Sequence, residues 1–147
     1  MQSVSYFRDQ HVEIQKMVEE LRPLLNKEQL QVRVVAKTAQ TLLGDLADRI
    51  KGHLAEEDKD LYPILLTHSD LDVRSTAWKF ISGEHALRQA FADYGKKWLK
   101  ERDFEFSNEL LTETNELLET LTVRIEREEQ FLYPRFEAEV AKETSGN

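Results

Sequence analysis

His53 and Glu57 stand four residues apart in the stretch HLAEEDKDLYP (residues 53–63). On an α-helix that spacing stacks the two side chains on one face. A neutral imidazole next to a carboxylate suits a divalent transition metal. The stretch is partly repeated 71 residues later as RIEREEQFLYP (residues 124–134). Glu128 and Pro134 keep the glutamate and the proline of the first copy, but Arg124 stands where His53 stood. An arginine does not ligate metals, because its guanidinium stays protonated, yet it forks readily onto a carboxylate. His11, His85 and Glu84 complete the set of residues with this chemistry.

These side chains need helices to hold them. Only five glycines and three prolines interrupt the 147 residues. Apolar positions recur at alternating spacings of three and four, the mark of amphipathic helices. Phe7, His11, Ile14, Val18, Leu21 and Leu25 form one stripe. Ala39, Leu43, Leu46, Ile50, His53 and Glu57 form a second. Phe80, Glu84, Leu87, Phe91, Tyr94 and Trp98 form a third. The fourth helix carries two adjoining stripes sharing Thr114, Leu121 and Glu128. One adds Leu110, Leu117, Arg124 and Phe131, the other Leu111, Leu118, Ile125 and Leu132. Four such segments predict an all-α, up-down-up-down four-helix bundle.

The connections fall at RPLLNKEQ, THSDLD and KERDFEFS. Pro23 either kinks or ends the first helix. Ser69 or Asp70 caps the third, and Ser107 caps the fourth. One domain is expected over residues 1–142, with a flexible tail over 143–147. The echoed Leu-Tyr-Pro motifs suggest two helical hairpins related by an approximate repeat. Tyr62-Pro63 and Tyr133-Pro134 read as purely structural, with each proline ending or bending its helix.

His11, His53, Glu57, Glu84, Arg124 and Glu128 all fall on or beside core-facing positions. A buried unpaired charge costs several kcal/mol even after relaxation. These groups must pair, bind something, or reach water at an open bundle end. His11 lies early in the first helix and His53 late in the second, so an antiparallel pair sets them at one height. Glu128, late in the fourth helix, and His85, early in the third, reach the same layer. That level gathers His11, His53, Glu57, His85 and Glu128 as a candidate metal site. Glu84 is either a substitute ligand or a charge facing the bundle end. His68, in a loop, reads as surface, and Glu56, Glu126 and Glu129 read as solvated charge.

Composition narrows the chemistry. The absence of cysteine excludes disulfides, thiolate metal sites and iron–sulfur ligation. A net charge of −8, without a basic block, argues against a nucleic-acid partner. No apolar run approaches membrane-spanning length and the start lacks a signal-peptide core, so no membrane partner and a cytoplasmic location are expected. No nucleophile–base arrangement or glycine-rich phosphate loop points to a classical enzyme.

The early His11, HLAEEDKDLYP, EHALR (residues 84–88) and EREEQFLYP (residues 126–134) together resemble the hemerythrin-like, or HHE cation-binding, family. The resemblance runs from about residue 5 to 140. It implies a four-helix bundle around a non-haem di-iron centre, with histidines capping the irons and carboxylates bridging them. Carried over, His11 and His53 would bind one metal, Glu57 and Glu128 would bridge, and His85 would bind the second. The family's helix-four histidine falls at Arg124. A further helix-three histidine is missing, since Ile81 and Gln89 stand four residues either side of His85.

These departures lead to the expectation that Arg124 takes the place of the second metal and pairs with Glu128 or Glu57. The site would then hold one metal, on His11, His53, Glu57 and Glu128, or none. The other reading has Arg124 snorkelling out of the bundle end and leaving room for two. Two functions compete. One is an iron protein that responds to dioxygen, nitric oxide or oxidative stress. The other is a metal-depleted bundle acting as a regulatory protein-interaction module. A ferritin-like oxidase is a weak third, because no histidine here has a glutamate three residues before it.

Overall fold

The computed structural model describes residues 3–100 and 104–145. Helix α1 (Val4–Leu21) starts at Ser3, whose side chain accepts from the Tyr6 amide. It ends ahead of Pro23 in a 3-10 turn, Arg22–Leu24. The first connection also holds a single helical turn, α2 (Lys27–Leu30), started by the Asn26 side chain accepting from the Gln29 amide. One turn is too short to show a periodic stripe, and the sequence reading took it as loop.

Helix α3 (Arg33–Asp60) is the longest and brings His53 and Glu57 inward near its end. It stops at Leu61, and a short α4 (Tyr62–Leu66) begins with Pro63 in its first turn. Proline is at home there because its missing N–H has no helical partner to lose. Asp70, rather than Ser69, caps α5 (Leu71–Tyr94) by accepting from the Asp72 amide. A π turn, Gly95–Leu99, follows. Ser107 caps α6 (Asn108–Arg127) as expected, accepting from the Leu110 amide. A second π turn, Glu128–Leu132, joins α6 to α7 (Tyr133–Ser145). The two copies of Leu-Tyr-Pro thus act differently. The first ends its helix at Leu61, and the second lets the helix run on through a π turn. Part of the expected tail, 143–145, belongs to α7, while 146–147 lies outside the described residues.

The chain is an all-α four-helix bundle built on α1, α3, α5 and the α6–α7 unit. Its apolar interior is split in two. The larger core includes Ile14, Leu21, Leu43, Leu46, Leu54, Leu118 and Leu121. The smaller includes Val4, Phe7, Leu61, Leu65, Val73, Ala77, Leu132 and Phe136. On every long helix the candidate residues lie between them. His11 falls between Phe7 and Ile14, Glu84 between Phe80 and Leu87, and Glu128 between Ile125 and Leu132. The polar groups therefore form an internal layer, not an open bundle end. Among the described residues, no helix is long and apolar enough to cross a membrane.

The α6 cap offers a simple check on the frame that carries Arg124 and Glu128. Ser107→Ala removes the acceptor for the Leu110 amide and should cost about 0.5–2 kcal/mol in urea denaturation.

Candidate metal centre

Three side chains from three helices converge on one point. His11 Nε2 lies 2.8 Å from Glu128 Oε1. His53 Nε2 lies 3.2 Å from that oxygen and 3.2 Å from His11 Nε2. All three residues are buried, and among the described residues they form the group of donors fit to hold a metal ion.

The outer ring nitrogens are fixed by partners. His11 Nδ1 lies 2.8 Å from Glu129 Oε1, and a carboxylate only accepts, so Nδ1 carries the hydrogen. Glu129 is held in turn by Arg8 Nε at 3.0 Å. His53 Nδ1 lies 2.7 Å from Gln10 Oε1, the carbonyl end of that side chain. Neutral imidazoles held this way turn their Nε2 lone pairs into the layer, the arrangement that metal-binding histidines adopt. Glu129 was read as solvated charge. It is instead the residue that orients His11, since a partly exposed side chain reaches back over the edge of the layer.

Glu57 is fully buried, with Oε1 3.5 Å from His53 Nε2. That oxygen has no hydrogen-bond partner. Burial, reinforced by the neighbouring Glu128 charge, pushes the Glu57 carboxyl well above its ordinary value, against the pull of Arg124 and Tyr133. Glu128 goes the other way. Burial would raise it, but its contacts with His11 and His53 and the charge of Arg124 outweigh burial and hold it well below the usual range. The two carboxyls are thus pushed in opposite directions.

Arg124 does not snorkel. It is buried, and its Nε donates to Glu128 Oε2 at 3.1 Å. Nη1 donates to the Phe80 carbonyl at 2.7 Å and Nη2 to the Tyr62 hydroxyl at 2.8 Å. The guanidinium carbon lies 5.1 Å from the centroid of the Phe80 ring. Gly83 leaves room for it, since a Cβ there would come within 3.0 Å of Nη1. Burial works against the charge, but Glu128, Tyr62 and Glu57 raise the Arg124 pKa and keep it protonated.

Two expectations about α5 need correcting. His85 has the right height but the wrong face: it is exposed and stays out of the cluster. It is one residue past the buried Glu84, a turn of about 100° around the helix. Glu84 itself lies in the layer but serves another partner. Arg88 Nε donates to its Oε1 at 2.8 Å, while Arg88 Nη2 donates to Asp58 at 2.7 Å. Burial and the hydrogen bond with Asp58 push Glu84 up to about 7. His68 is in its expected loop yet is only partly exposed, with Nε2 2.6 Å from Glu139 Oε2 on α7.

Sequence reasoning missed both tyrosines. The Tyr133 hydroxyl donates toward Glu57 Oε2 at 3.0 Å and also lies 3.0 Å from His11 Nε2. Tyr62 meets Arg124, as described. Each was credited only with its neighbouring proline. The signal available was their shared five-residue spacing from the site glutamates, Glu57 to Tyr62 and Glu128 to Tyr133.

The layer yields two predictions. Arg124→Leu strips the partners from Phe80 O and Tyr62 and leaves the Glu128 charge with less compensation, so unfolding free energy should fall by about 3–5 kcal/mol in urea titrations. Glu84 binds its proton more tightly folded than unfolded, so its contribution is complete at pH values below 4.5 and is lost as pH rises through about 7. Melting temperatures of Glu84→Gln should therefore fall less than wild type across that window.

The comparisons agree with the geometry. The family model described as Hemerythrin HHE cation binding domain matches residues 2–136. Comparison with curated proteins and with solved structures finds no match. A match over nearly the whole chain, with histidine and glutamate donors gathered in the layer between two cores, establishes that the chain belongs to the hemerythrin HHE cation-binding domain family.

Proposed function

We propose that this protein binds a single iron ion on His11, His53 and Glu128 and uses it to bind or sense dioxygen, nitric oxide or oxidative stress. One observation carries the metal-binding part: three donor atoms from three helices lie within 3.2 Å of one another. The residues fit a cation on their own terms. Both histidines have their Nδ1 atoms engaged by outer partners, and the adjacent Glu57 Oε1 is buried without a hydrogen-bond partner. Imidazole and carboxylate together suit iron among the divalent first-row metals. The choice of iron and the response to small oxidants follow from the family resemblance.

Arg124 supports one ion rather than two. It brings a permanent positive charge to Glu128 Oε2, on the far side of that carboxylate from the imidazoles. No histidine stands in that half of the layer, because His85 is exposed and position 124 is arginine. When bound, iron would supply Lewis acidity and a one-electron couple. The chain's own residues hold the imidazoles in one tautomer, keep Glu128 ionised and exclude water with the apolar cores above and below.

The second reading, a metal-free regulatory bundle, draws on the same arginine, which already pairs Glu128 without any ion. Metal analysis after anaerobic loading with ferrous iron separates the two. The expected result is one iron per chain, with Arg124→His binding more. Two irons in the wild-type chain, or no gain in Arg124→His, would overturn the single-metal reading. No bound metal, with a melting temperature unmoved by iron, would favour the metal-free bundle.

A further inference from the structure

The Tyr133 hydroxyl belongs to the same knot of atoms as the three donors. It lies 3.0 Å from His11 Nε2, 3.5 Å from His53 Nε2 and 3.2 Å from Glu128 Oε1. The remaining three separations are 3.2 Å between the imidazole nitrogens, and 2.8 and 3.2 Å from each of them to Glu128 Oε1. Four atoms with all six separations between 2.8 and 3.5 Å form a nearly regular tetrahedron. The centre of such a figure lies about 1.9 Å from each corner, close to the roughly 2.0–2.2 Å of zinc bonds to imidazole and carboxylate.

We propose that Tyr133 Oη is the fourth ligand of this centre, closing a His11–His53–Glu128–Tyr133 tetrahedron around one transition-metal ion. The inference rests on the metal-binding reading above and adds to it a ligand, a coordination number and a spectroscopic identity.

Ordinary hydrogen bonding accounts for some of these contacts but not for all six. Both Nδ1 atoms are engaged by the Glu129 and Gln10 oxygens, so neutral imidazoles carry no hydrogen on the two Nε2 atoms that face Glu128 and Tyr133. Protons or a cation must hold four such atoms together, and a binding metal displaces protons. On coordination the Tyr133 O–H bond breaks, the oxygen lone pair goes to the cation, and the proton is released to solvent, as metals displace protons from their ligands. Glu57 is then a neighbour of the centre rather than a corner of it.

The backbone gives independent support. In a regular α-helix, residues five apart point about 140° away from each other. Glu128 and Tyr133 are five apart, yet their side chains meet at 3.2 Å. The π turn Glu128–Leu132 makes this contact, with the Tyr133 amide bonded to the Glu128 carbonyl in the i→i+5 pattern. π turns inside α-helices concentrate at functional sites. The first copy of the motif lacks the π turn, because α3 stops at Leu61, and its Tyr62 turns to Arg124 instead.

The test is spectroscopic. Ferric iron is added to the purified full-length chain, and the visible absorption and iron content are recorded for wild type, Tyr133→Phe and Tyr94→Phe. Tyr94 is buried elsewhere, against Thr114, and serves as the control. The expected result is a phenolate-to-iron charge-transfer band in wild type and Tyr94→Phe that vanishes in Tyr133→Phe. Affinity in Tyr133→Phe should fall by at least about 100-fold, the upper range for losing an outer-shell partner. Circular dichroism confirms that the variant folds. If Tyr133 is no ligand, wild type binds iron without a phenolate band and Tyr133→Phe binds it as tightly; that result overturns the fourth ligand and leaves the three-donor centre standing. If wild type binds no iron, the metal-binding reading fails and this inference with it.

Discussion

One carboxylate, Glu128, divides the interior of this bundle. Its Oε2 belongs to Arg124 and its Oε1 to the two imidazoles. Charges between two apolar cores are tolerated only when paired and hydrogen-bonded. Arg124 meets that requirement permanently, without any ligand. Glu128 is held low by its contacts with His11 and His53 together with the Arg124 charge, while burial and the Glu128 charge push Glu57 the other way.

The asymmetry is laid over a repeat that runs through the whole core. The buried residues Ala39, Leu43, Leu46, Ile50 and Leu54 of α3 recur 71 positions later as Leu110, Thr114, Leu117, Leu121 and Ile125 of α6. The stripe Phe7, His11, Ile14, Val18 and Leu21 of α1 recurs 73 positions later on α5 as Phe80, Glu84, Leu87, Phe91 and Tyr94. Phe7 meets His53 edge-on, as Phe80 lies against Arg124. Each Leu-Tyr-Pro tyrosine reaches into the opposite hairpin, Tyr133 to His11 and Tyr62 to Arg124. The apolar positions stay alike in both hairpins because packing asks the same of both. The polar positions differ. His11 and His53 in one hairpin correspond to Glu84 and Arg124 in the other, so imidazole lone pairs face a guanidinium across the shared glutamate.

The layer was legible in the sequence for a physical reason. Helical periodicity fixes both the face and the height of a residue, and His11, His53, Glu57, Glu84, Arg124 and Glu128 were all read inward and lie buried. His85 shows the limit of that reasoning, since height alone ignores the rotation that separates it from Glu84. Glu129 reads as solvated charge, and Gln10 carries no signal, because both flank the stripe and act through side-chain reach, which periodicity does not measure. The π turn was hidden for a different reason. No residue type announces an i→i+5 turn as glycine announces a tight turn. Without the π turn, Tyr133 could not be placed on the face of Glu128.

The cost of the layer argues for what it does. Filling these positions with leucine and phenylalanine would join the two cores, and replacing buried ion pairs in this way is often neutral or stabilising. Arg124 alone gives no reason to keep the other half polar, since it is satisfied by Glu128, Phe80 and Tyr62. The surplus polarity lies on the histidine side, where Glu57 Oε1 has no hydrogen-bond partner and four donor atoms crowd one point. A bundle meant only as a scaffold would gain by losing those groups. One that must take up a cation needs them unsatisfied until the cation arrives. The unpartnered Glu57 oxygen lies on the histidine side, while Arg124 is fully paired without any ligand.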